Sequence, residues 1–275
     1  LSAPAKINLT LGITGLREDG YHLLESVMQT ISLADTLNFE KIPSGIILSC
    51  NKSHIPTDER NLCFKAAKRY LDAAGIQGGV KIDLIKCIPD GAGMGGGSSD
   101  AASLINALDA VYGTGLSLEQ KRYIASKVGS DVFFFTECND VTVPFAALVS
   151  GRGEIVDPII PRRDLFFVLI CPDVHSSTGE AYRLVDQWNG PDWNWNGYSA
   201  EQLEGVYSKP VESWDFVNSF TAPLVQQYPL IGEGLQDLKD VGASFVQMSG
   251  SGSTVFGIFC TKDSAACAFL KLRKK

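Results

Sequence analysis

Alternating apolar and polar residues predict β-strands over much of the first third of the chain. The clearest alternation lies in residues 1–14, where aliphatic side chains share one face of the predicted strand and polar side chains share the other. The aliphatic face holds Ile7, Leu9, Leu11 and Ile13, and the polar face holds Lys6, Asn8, Thr10 and Gly12. Lys6 and Asn8 therefore project together, either at a functional site or from an edge strand whose polar side faces water. Weaker alternation predicts strands at 27–32, 36–40 and 46–50, and an apolar run predicts another at 80–88.

Apolar residues that recur every three or four positions predict helices. The first such helix covers 61–74 and the second covers 101–111, while Ser117 and Gln120 resemble a capping box that opens a third. In the second half of the chain the pattern predicts helices at 200–207, 211–228 (interrupted near Pro223), 231–241 and 264–272, and strands at 141–148, 165–171, 243–248 and 254–259.

A proline-rich stretch at 158–161 is typical of a domain boundary. The 275 residues have room for two domains of ordinary size, which we expect over 1–158 and 159–275. Three of the four tryptophans fall within 186–198 among Asn, Gly and Pro, a composition that predicts a surface loop.

Composition narrows the class of protein. Apolar residues make up 45% of the chain and charged residues 20%, as in ordinary globular proteins, and the net charge of −7 argues against a nucleic-acid or membrane-surface partner. No apolar run reaches the roughly 18 residues of a membrane span, and no signal peptide is visible. The seven cysteines form no C-x-x-C pair, which indicates a reducing compartment. We expect a cytoplasmic protein, or a plastid stromal one if a transit peptide precedes Leu1.

Residues 89–102 carry the strongest chemical signal. Five glycines fall within seven positions, between an apolar run and a predicted helix: Gly91, Gly93, Gly95, Gly96 and Gly97. Glycine adopts positive φ freely and lets another molecule contact the backbone. Just before a helix, such a loop directs unpaired N–H groups and the positive helix end at one point, which suits a phosphate. Ser98 and Ser99 are expected to cap the helix and to offer hydroxyls to a phosphate or its metal.

Other interpretations of this glycine loop fit less well. An ordinary turn needs only one or two glycines. Gly91, Gly93 and Gly96 match the G-x-G-x-x-G dinucleotide fingerprint, but about 20 residues on, where that fingerprint needs an acidic residue after a strand, this chain has a turn that opens a helix. The P-loop pattern fails because no Gly-Lys-Ser/Thr follows. We therefore expect a nucleotide-phosphate loop of another kind.

Three further motifs leave two interpretations each. Asp131 precedes a very apolar segment, and an unpaired carboxylate is costly to bury, so it is either functional or an ordinary aspartate at a helix end. Tyr21 and His22 follow a polar turn and either contact a planar ligand or simply pack. The late Ser-Gly-Ser-Gly-Ser stretch at 249–253 either approaches the glycine loop across a cleft or forms a plain hairpin turn.

Taken in order, these motifs resemble the GHMP kinase superfamily. Its phosphate loop follows the pattern Pro-x-x-x-Gly-x-Gly-Ser-Ser, which residues 89–99 carry with extra glycines. Within the superfamily the chain is most similar to the kinases of 4-diphosphocytidyl-2-C-methyl-D-erythritol, over nearly its whole length. The motifs that carry this similarity are Pro-Ala-Lys-Ile-Asn-Leu at 4–9, Arg-Glu-Asp-Gly-Tyr-His at 17–22, Gly-Ser-Asp-Val at 129–132 and Gly-Arg-Gly-Glu at 151–154. The resemblance implies a two-domain α+β fold, with an N-terminal domain like the second domain of ribosomal protein S5, a ferredoxin-like C-terminal domain and an active site in the cleft between them.

The resemblance also implies residue roles. Asp131 resembles the catalytic base that takes the proton of the attacking hydroxyl, and Lys6 resembles the cation that keeps this carboxylate ionised. By the same resemblance ATP, with Mg²⁺, is expected at Lys86, Pro89, Asp90, Gly91, Ala92, Gly93, Met94, Gly95, Gly96, Gly97, Ser98 and Ser99, with the metal near Ser99. The small cytidylyl substrate is expected at Asn8, Tyr21, His22, Thr178 and Tyr182, with its cytosine between the two tyrosines.

Two other functions stay open at this point. A GHMP kinase for another small alcohol, such as homoserine or mevalonate, would have no use for a cytosine pocket. A nucleotide-binding protein without catalysis would need neither Lys6 nor Asp131. Phe133 stands where the family commonly has proline, which would shift the backbone behind Asp131. By analogy with the family we expect a monomer or a weak homodimer.

Overall fold

A large mixed sheet forms the N-terminal part of the chain. The computed structural model describes residues 1–138, 143–174, 176–190 and 197–274. The strands of this sheet are β1 (Ser2–Leu16), β2 (His22–Ile42), β3 (Gly45–Cys50), β4 (Gly79–Ile85), β5 (Ala146–Gly151) and β6 (Ile155–Ile159). β1 pairs with one edge of β2, while β4 and β5 pair with different parts of its other edge. Apart from β1, the strand order is β3-β4-β2-β5-β6. The strands predicted at 27–32 and 36–40 are thus one continuous strand.

β1 is buried on both of its faces, so the interpretation of a strand whose polar side faces water is wrong. On its aliphatic face, Ile7 and Leu9 pack in an apolar cluster that includes Trp214 and Phe256 of the C-terminal part. Leu11 and Ile13 pack in a second cluster with other C-terminal side chains. On its polar face Lys6 is only 3% exposed and Asn8 is fully buried. Because buried polar groups are costly unless they are bonded, both side chains require partners.

The helices of the N-terminal part share one core with the large sheet. They are α1 (Leu62–Ala73), α2 (Gly96–Tyr112), α3 (Leu118–Ser126) and α4 (Asp131–Thr136). The capping box of Ser117 and Gln120 at the start of α3 is confirmed. α2 begins five residues before the predicted helix, because Gly95 adopts the left-handed conformation that starts it. The last two glycines of the loop are therefore helical.

The C-terminal part is built on a smaller antiparallel sheet. Its strands are β7 (Phe166–Ile170), β8 (Phe245–Met248) and β9 (Val255–Phe259), in the order β7-β9-β8. The helices that accompany them are α5 (Thr178–Asn189), α6 (Ala200–Tyr207), α7 (Thr221–Gln227), α8 (Pro229–Asp240) and α9 (Lys262–Leu272). The prediction of a two-domain α+β fold is confirmed.

The helix predicted at 211–228 is wrong over its first half. A short 3₁₀ turn at Val211–Ser213 is followed by an extended segment, in which Val217 accepts a hydrogen bond from the N–H of Leu11 (2.9 Å). Tertiary pairing with β1 therefore overrides the helical pattern. Helix forms only at α7, where Pro223 lies in the first turn and breaks no helical hydrogen bond.

The predicted domain division stays a proposal. β6 pairs within the large sheet through Ile159, and β7 starts the small sheet at Phe166. Trp188, which was predicted to lie in a surface loop, lies on α5 instead; Trp193 and Trp195 lie outside the described residues. In the described ranges, we find no helix with the length and apolar character needed to cross a membrane.

Candidate active site

A cavity of about 970 Å³ lies between the N-terminal and C-terminal parts. The N-terminal part lines it with the polar face of β1, the turn before β2, the glycine loop, the start of α4 and the tip of the β5–β6 hairpin. The C-terminal part lines it with α5 and the β8–β9 loop. Every residue predicted to bind ATP or substrate, or to act in catalysis, lines this cavity, with the exception of Ser99.

The glycine loop is shaped to bind an anion. Gly91, Gly93 and Gly95 have φ values of +64°, +77° and +68°, so every second residue is left-handed. Such alternation turns successive N–H groups toward one side and makes an anion-binding concavity. The first helical hydrogen bond of α2 runs from Ser99 N to Gly95 O (2.9 Å), and the helix amides before it lack helical acceptors. They border the same cavity, together with the positive end of the helix.

The two serines of the loop have different environments. Ser98 lines the cavity, whereas Ser99 is fully buried one turn into α2. The Ser99 hydroxyl has no hydrogen-bond partner among the described residues. No side chain caps α2 at Gly95. The predicted capping by these serines is therefore wrong, because the helix starts early enough to turn Ser99 into the core. The predicted Mg²⁺ contact of Ser99 stays a prediction.

A buried ionic network ties the two ends of the glycine loop together. Lys86 Nζ donates to Asp100 Oδ2 (2.7 Å) on α2 and to Asp35 Oδ2 on β2. Asp35 Oδ1 accepts from the backbone N–H groups of Cys87 (2.6 Å) and Ile88 (2.8 Å), where the chain leaves β4 for the loop. Lys86 borders the cavity as predicted, but two carboxylates engage its ammonium. Lys86 therefore helps to hold the glycine loop in place, and its predicted contact with ATP stays a prediction.

The network predicts a pH dependence of stability. Burial raises the pKa of Asp100 to about 7, with Lys86 lowering it and Asp35 raising it further. The folded pKa lies above the usual 3.8, so the folded chain keeps a proton that the unfolded chain releases between about pH 4 and pH 7. The resulting stability is present below pH 4 and lost as the pH rises through 7.

We therefore expect the free energy of unfolding of the wild type to fall relative to Asp100→Asn between pH 5 and pH 7. One pKa unit corresponds to about 1.4 kcal/mol, which sets the upper limit per pH unit. Urea unfolding of both proteins at pH 5, 6, 7 and 8 measures the difference. If the two free energies of unfolding changed in parallel with pH, Asp100 would have an ordinary pKa.

Lys6 and Asp131 form an ion pair in the cavity. Lys6 Nζ lies 3.5 Å from Asp131 Oδ2, donates to Gly93 O (3.1 Å) and donates to the side-chain oxygen of Asn8. The Asn8 amide group in turn donates to Ser26 Oγ (2.8 Å). The Lys6 side chain is 4% exposed and that of Asp131 36%, so the carboxylate stays open to the cavity while the ammonium is held from three sides.

Phe133 does not displace Asp131. The N–H of Phe133, which a proline would lack, donates to Ser130 O (3.3 Å), and Asp131 is the first residue of α4. Asp131 therefore opens a helix at the cavity wall.

The late serine-glycine loop is both a hairpin turn and a contact to the glycine loop. It joins β8 to β9, and Ser249 Oγ donates to Gly93 O (2.9 Å) while accepting from Asn8 N (3.2 Å). Asn218 Nδ2 donates to Met248 O (2.7 Å) and to Gly250 O (2.8 Å), and these two hydrogen bonds fix the position of this loop. Both interpretations of this stretch are thus confirmed.

Gly93→Ala is expected to weaken ATP binding roughly tenfold or more. Gly93 has φ +77°, and an added Cβ would overlap the carbonyl oxygen of Ser249, so the loop must move away from the late loop. Strain of this kind costs about 1–3 kcal/mol. The KM for ATP measures the effect. Gly113→Ala is the matched control, because Gly113 has φ +67° but open space around its Cβ position, and an equal rise in KM there would refute the steric account.

Aromatic rings collect at the far end of the cavity. His22 stacks on Tyr182 with ring centroids 4.5 Å apart, and His22 Nε2 lies 2.7 Å from Asp186 Oδ1. Burial, and then the charge of Asp131, raise the pKa of Tyr182 to about 12. Tyr21 is 55% exposed at the mouth, and the guanidinium of Arg152 lies 5.0 Å from its ring centroid. In this structure the ring that stacks on Tyr182 is therefore that of His22, not that of Tyr21.

Several residues at the site were not identified from the sequence. Asp35 gave no local signal, because its partner Lys86 lies 51 positions later. Asn218 lies in the stretch wrongly predicted as helix. Asp100 and Arg152 sit inside recognised motifs, but nothing in the spacing assigned them a role.

Two family profiles match the chain. The profile of the GHMP kinases N terminal domain matches residues 61–139, and that of the GHMP kinases C terminal domain matches residues 211–275. The first match contains the glycine loop and Asp131, and the second contains the late loop.

Known proteins similar to the chain agree with these profiles. A 4-diphosphocytidyl-2-C-methyl-D-erythritol kinase of Treponema pallidum (strain Nichols) is 35% identical over 283 residues, which covers 100% of this chain and 94% of the relative. A crystal structure of 4-(cytidine 5'-diphospho)-2C-methyl-D-erythritol kinase is similar with a TM-score of 0.79 at 35% identity, covering 100% and 95%. The mevalonate kinase of L. major has a TM-score of 0.66 at 15% identity, covering 100% and 91%, which shows a shared fold alone.

Proposed function

The chain belongs to the GHMP kinases, in the family of 4-diphosphocytidyl-2-C-methyl-D-erythritol kinases, and we propose its reaction from that membership. It transfers the γ-phosphoryl group of ATP to the 2-hydroxyl of 4-diphosphocytidyl-2-C-methyl-D-erythritol, giving the 2-phosphate and ADP. The reaction serves non-mevalonate isoprenoid precursor biosynthesis. The observation that carries the proposal is the Lys6–Asp131 pair, which sits in one cavity with a phosphate-binding loop and a cluster of aromatic rings.

The proposed mechanism needs few chemical groups. Phosphoryl transfer depends mainly on alignment and charge stabilisation, so loop amides that bind the ATP phosphates and one positioned base suffice. Asp131 accepts the proton of the attacking hydroxyl, and Lys6 stabilises the negative charge that develops on that oxygen. Asn8, beside Lys6, orients the erythritol end of the substrate.

Mg²⁺ fits this site as a companion of ATP. In protein kinases and ATPases Mg²⁺ keeps several waters and takes its other ligands from phosphates and one or two protein groups. Ser98 offers a hydroxyl at the cavity, beside the amides that start α2. We propose that Ser98 contacts the metal, which when bound neutralises charge on the transferring phosphate.

The aromatic end of the cavity fits a cytosine. A base between Tyr21 and Tyr182 would replace His22 on the Tyr182 ring, since rings 4.5 Å apart leave no room for another between them. His22 would then donate to the polar edge of the base, with Thr178 beside it at the start of α5.

Tyr182→Ala is expected to raise the KM for the cytidylyl substrate roughly 5- to 100-fold. Stacking of a base on an aromatic ring contributes about 1–3 kcal/mol by alanine substitution. The KM for ATP should not change. Steady-state kinetics measures both constants, with Tyr123→Ala, a 62% exposed tyrosine on α3, as control. An unchanged KM for the cytidylyl substrate would refute the stacking role.

ADP release from Mg-ATP tests the proposed function. We expect turnover with 4-diphosphocytidyl-2-C-methyl-D-erythritol and none with homoserine or mevalonate. Turnover confined to one of the other alcohols would keep the phosphoryl-transfer chemistry and refute the cytidine site. Absence of turnover with all three, despite ATP binding, would indicate a binding protein. We propose that the enzyme acts in the cytoplasm as a monomer or weak homodimer.

A further inference from the structure

The tip of the β5–β6 hairpin carries an arginine at the cavity mouth. Arg152 stands between Gly151 and Gly153, whose φ values are +71° and +111°. A Cβ on Gly153 would lie 3.4 Å from Ser130 Cβ, so the tip lies directly against the residue that precedes Asp131. On its other side the Arg152 guanidinium lies over the Tyr21 ring at 5.0 Å. The hairpin tip thus spans from the catalytic end of the cavity to its aromatic end.

Arg152 is the least engaged cation of the cavity. Among the described residues that line it, the other lysines and arginines are Lys6 and Lys86, and both are buried against carboxylates. The Arg152 side chain is 41% exposed, and its ion pair with Glu154 measures 3.6 Å, longer than a hydrogen bond. Its guanidinium can therefore donate to an incoming ligand. The planar fork of N–H groups suits phosphate oxygens, and stacking on Tyr21 limits its orientations.

We propose that Arg152 binds the diphosphate that links the cytidine and erythritol halves of the substrate, an inference that rests on the proposed function. The base occupies the end near Tyr21 and Tyr182, and the reacting hydroxyl lies at Asp131. The diphosphate must then lie between them, where the hairpin tip stands. A guanidinium there supplies the positive charge that this dianion needs and selects against alcohols that lack it.

Binding of CDP and cytidine tests this role, because the two ligands differ only in the diphosphate. Calorimetric titrations are made with a non-hydrolysable Mg-ATP analogue filling the nucleotide site. We expect the wild type to bind CDP more tightly than cytidine. In Arg152→Gln the CDP affinity should fall roughly 10- to 100-fold, as loss of hydrogen bonds to a charged group implies, with cytidine affinity nearly unchanged. Arg183→Gln, an exposed arginine on α5 outside the cavity lining, is the matched control and should match the wild type.

The other outcomes are equally distinct. Equal losses of CDP and cytidine affinity in Arg152→Gln would mean that Arg152 only supports Tyr21, and would overturn the proposal. Weaker binding of the ATP analogue with an unchanged ratio of CDP to cytidine affinity would assign Arg152 to ATP instead. Wild-type turnover of the cytidylyl substrate together with equal binding of CDP and cytidine would overturn the Arg152 role alone. A wild type that neither binds cytidine nor turns over the cytidylyl substrate would overturn the proposed function itself.

Discussion

Asp131→Asn is expected to lower kcat by at least about 100-fold. A positioned general base contributes about 10²- to 10⁴-fold to the rate, and asparagine cannot accept the proton of the attacking hydroxyl. The affinity for ATP should be retained, because the phosphate-binding amides belong to the glycine loop and α2. Lys6 keeps its bonds to Asn8 and Gly93, so the fold should survive the substitution.

Single-turnover kinetics with saturating substrates measures this effect on the chemical step. Asp157→Asn is the control, because Asp157 is an exposed aspartate of β6 that does not line the cavity. A variant at position 131 with near-normal kcat would remove Asp131 from the mechanism. A variant that loses ATP binding as well would instead indicate that Asp131 shapes the phosphate site.

Lys86→Met is expected to destabilise the protein by about 3–5 kcal/mol, the usual cost of removing one partner of a buried ion pair. Asp35 is fully buried and Asp100 is 1% exposed, so their carboxylates would lose their shared cation without gaining water. A typical domain is stable by only about 5–15 kcal/mol, so the loss is a large share of the total. ATP affinity should fall too, because the network joins both ends of the glycine loop.

Chemical denaturation measures this loss. Lys81→Met is the control, since Lys81 pairs with Glu40 (3.2 Å) on the surface of the same sheet, where an ion pair contributes little. Adding Asp100→Asn to Lys86→Met should recover part of the stability, because an amide at position 100 needs neither the lost cation nor a bound proton. If Lys86→Met were no more destabilising than Lys81→Met, the buried network would not hold the loop.

The predicted capping of α2 by Ser98 and Ser99 depended on a local motif, and it failed because the backbone decided where the helix starts. Gly95 starts α2 early, and the early start turns Ser99 into the core while Ser98 stays at the cavity. No count of residue types reveals such a shift of helix start, because several residues of this stretch fit either the loop or the helix. The predicted helix at 211–228 failed for a related reason: pairing with β1 competes with helical propensity, and pairing prevailed.

The sequence by itself determined the parts whose cause is local. Alternation along β1 put Lys6 and Asn8 on one face, the glycines dictated an anion-binding loop before a helix, and the order of the motifs identified the family. Tertiary structure alone decided what meets across the chain. It brought Asp35 to Lys86 and the late loop to Gly93, and it set Gly153 of the β5–β6 hairpin against Ser130 and Arg152 over Tyr21. Such contacts join residues far apart in sequence, and they follow from how sheets and loops pack rather than from the composition of any one segment.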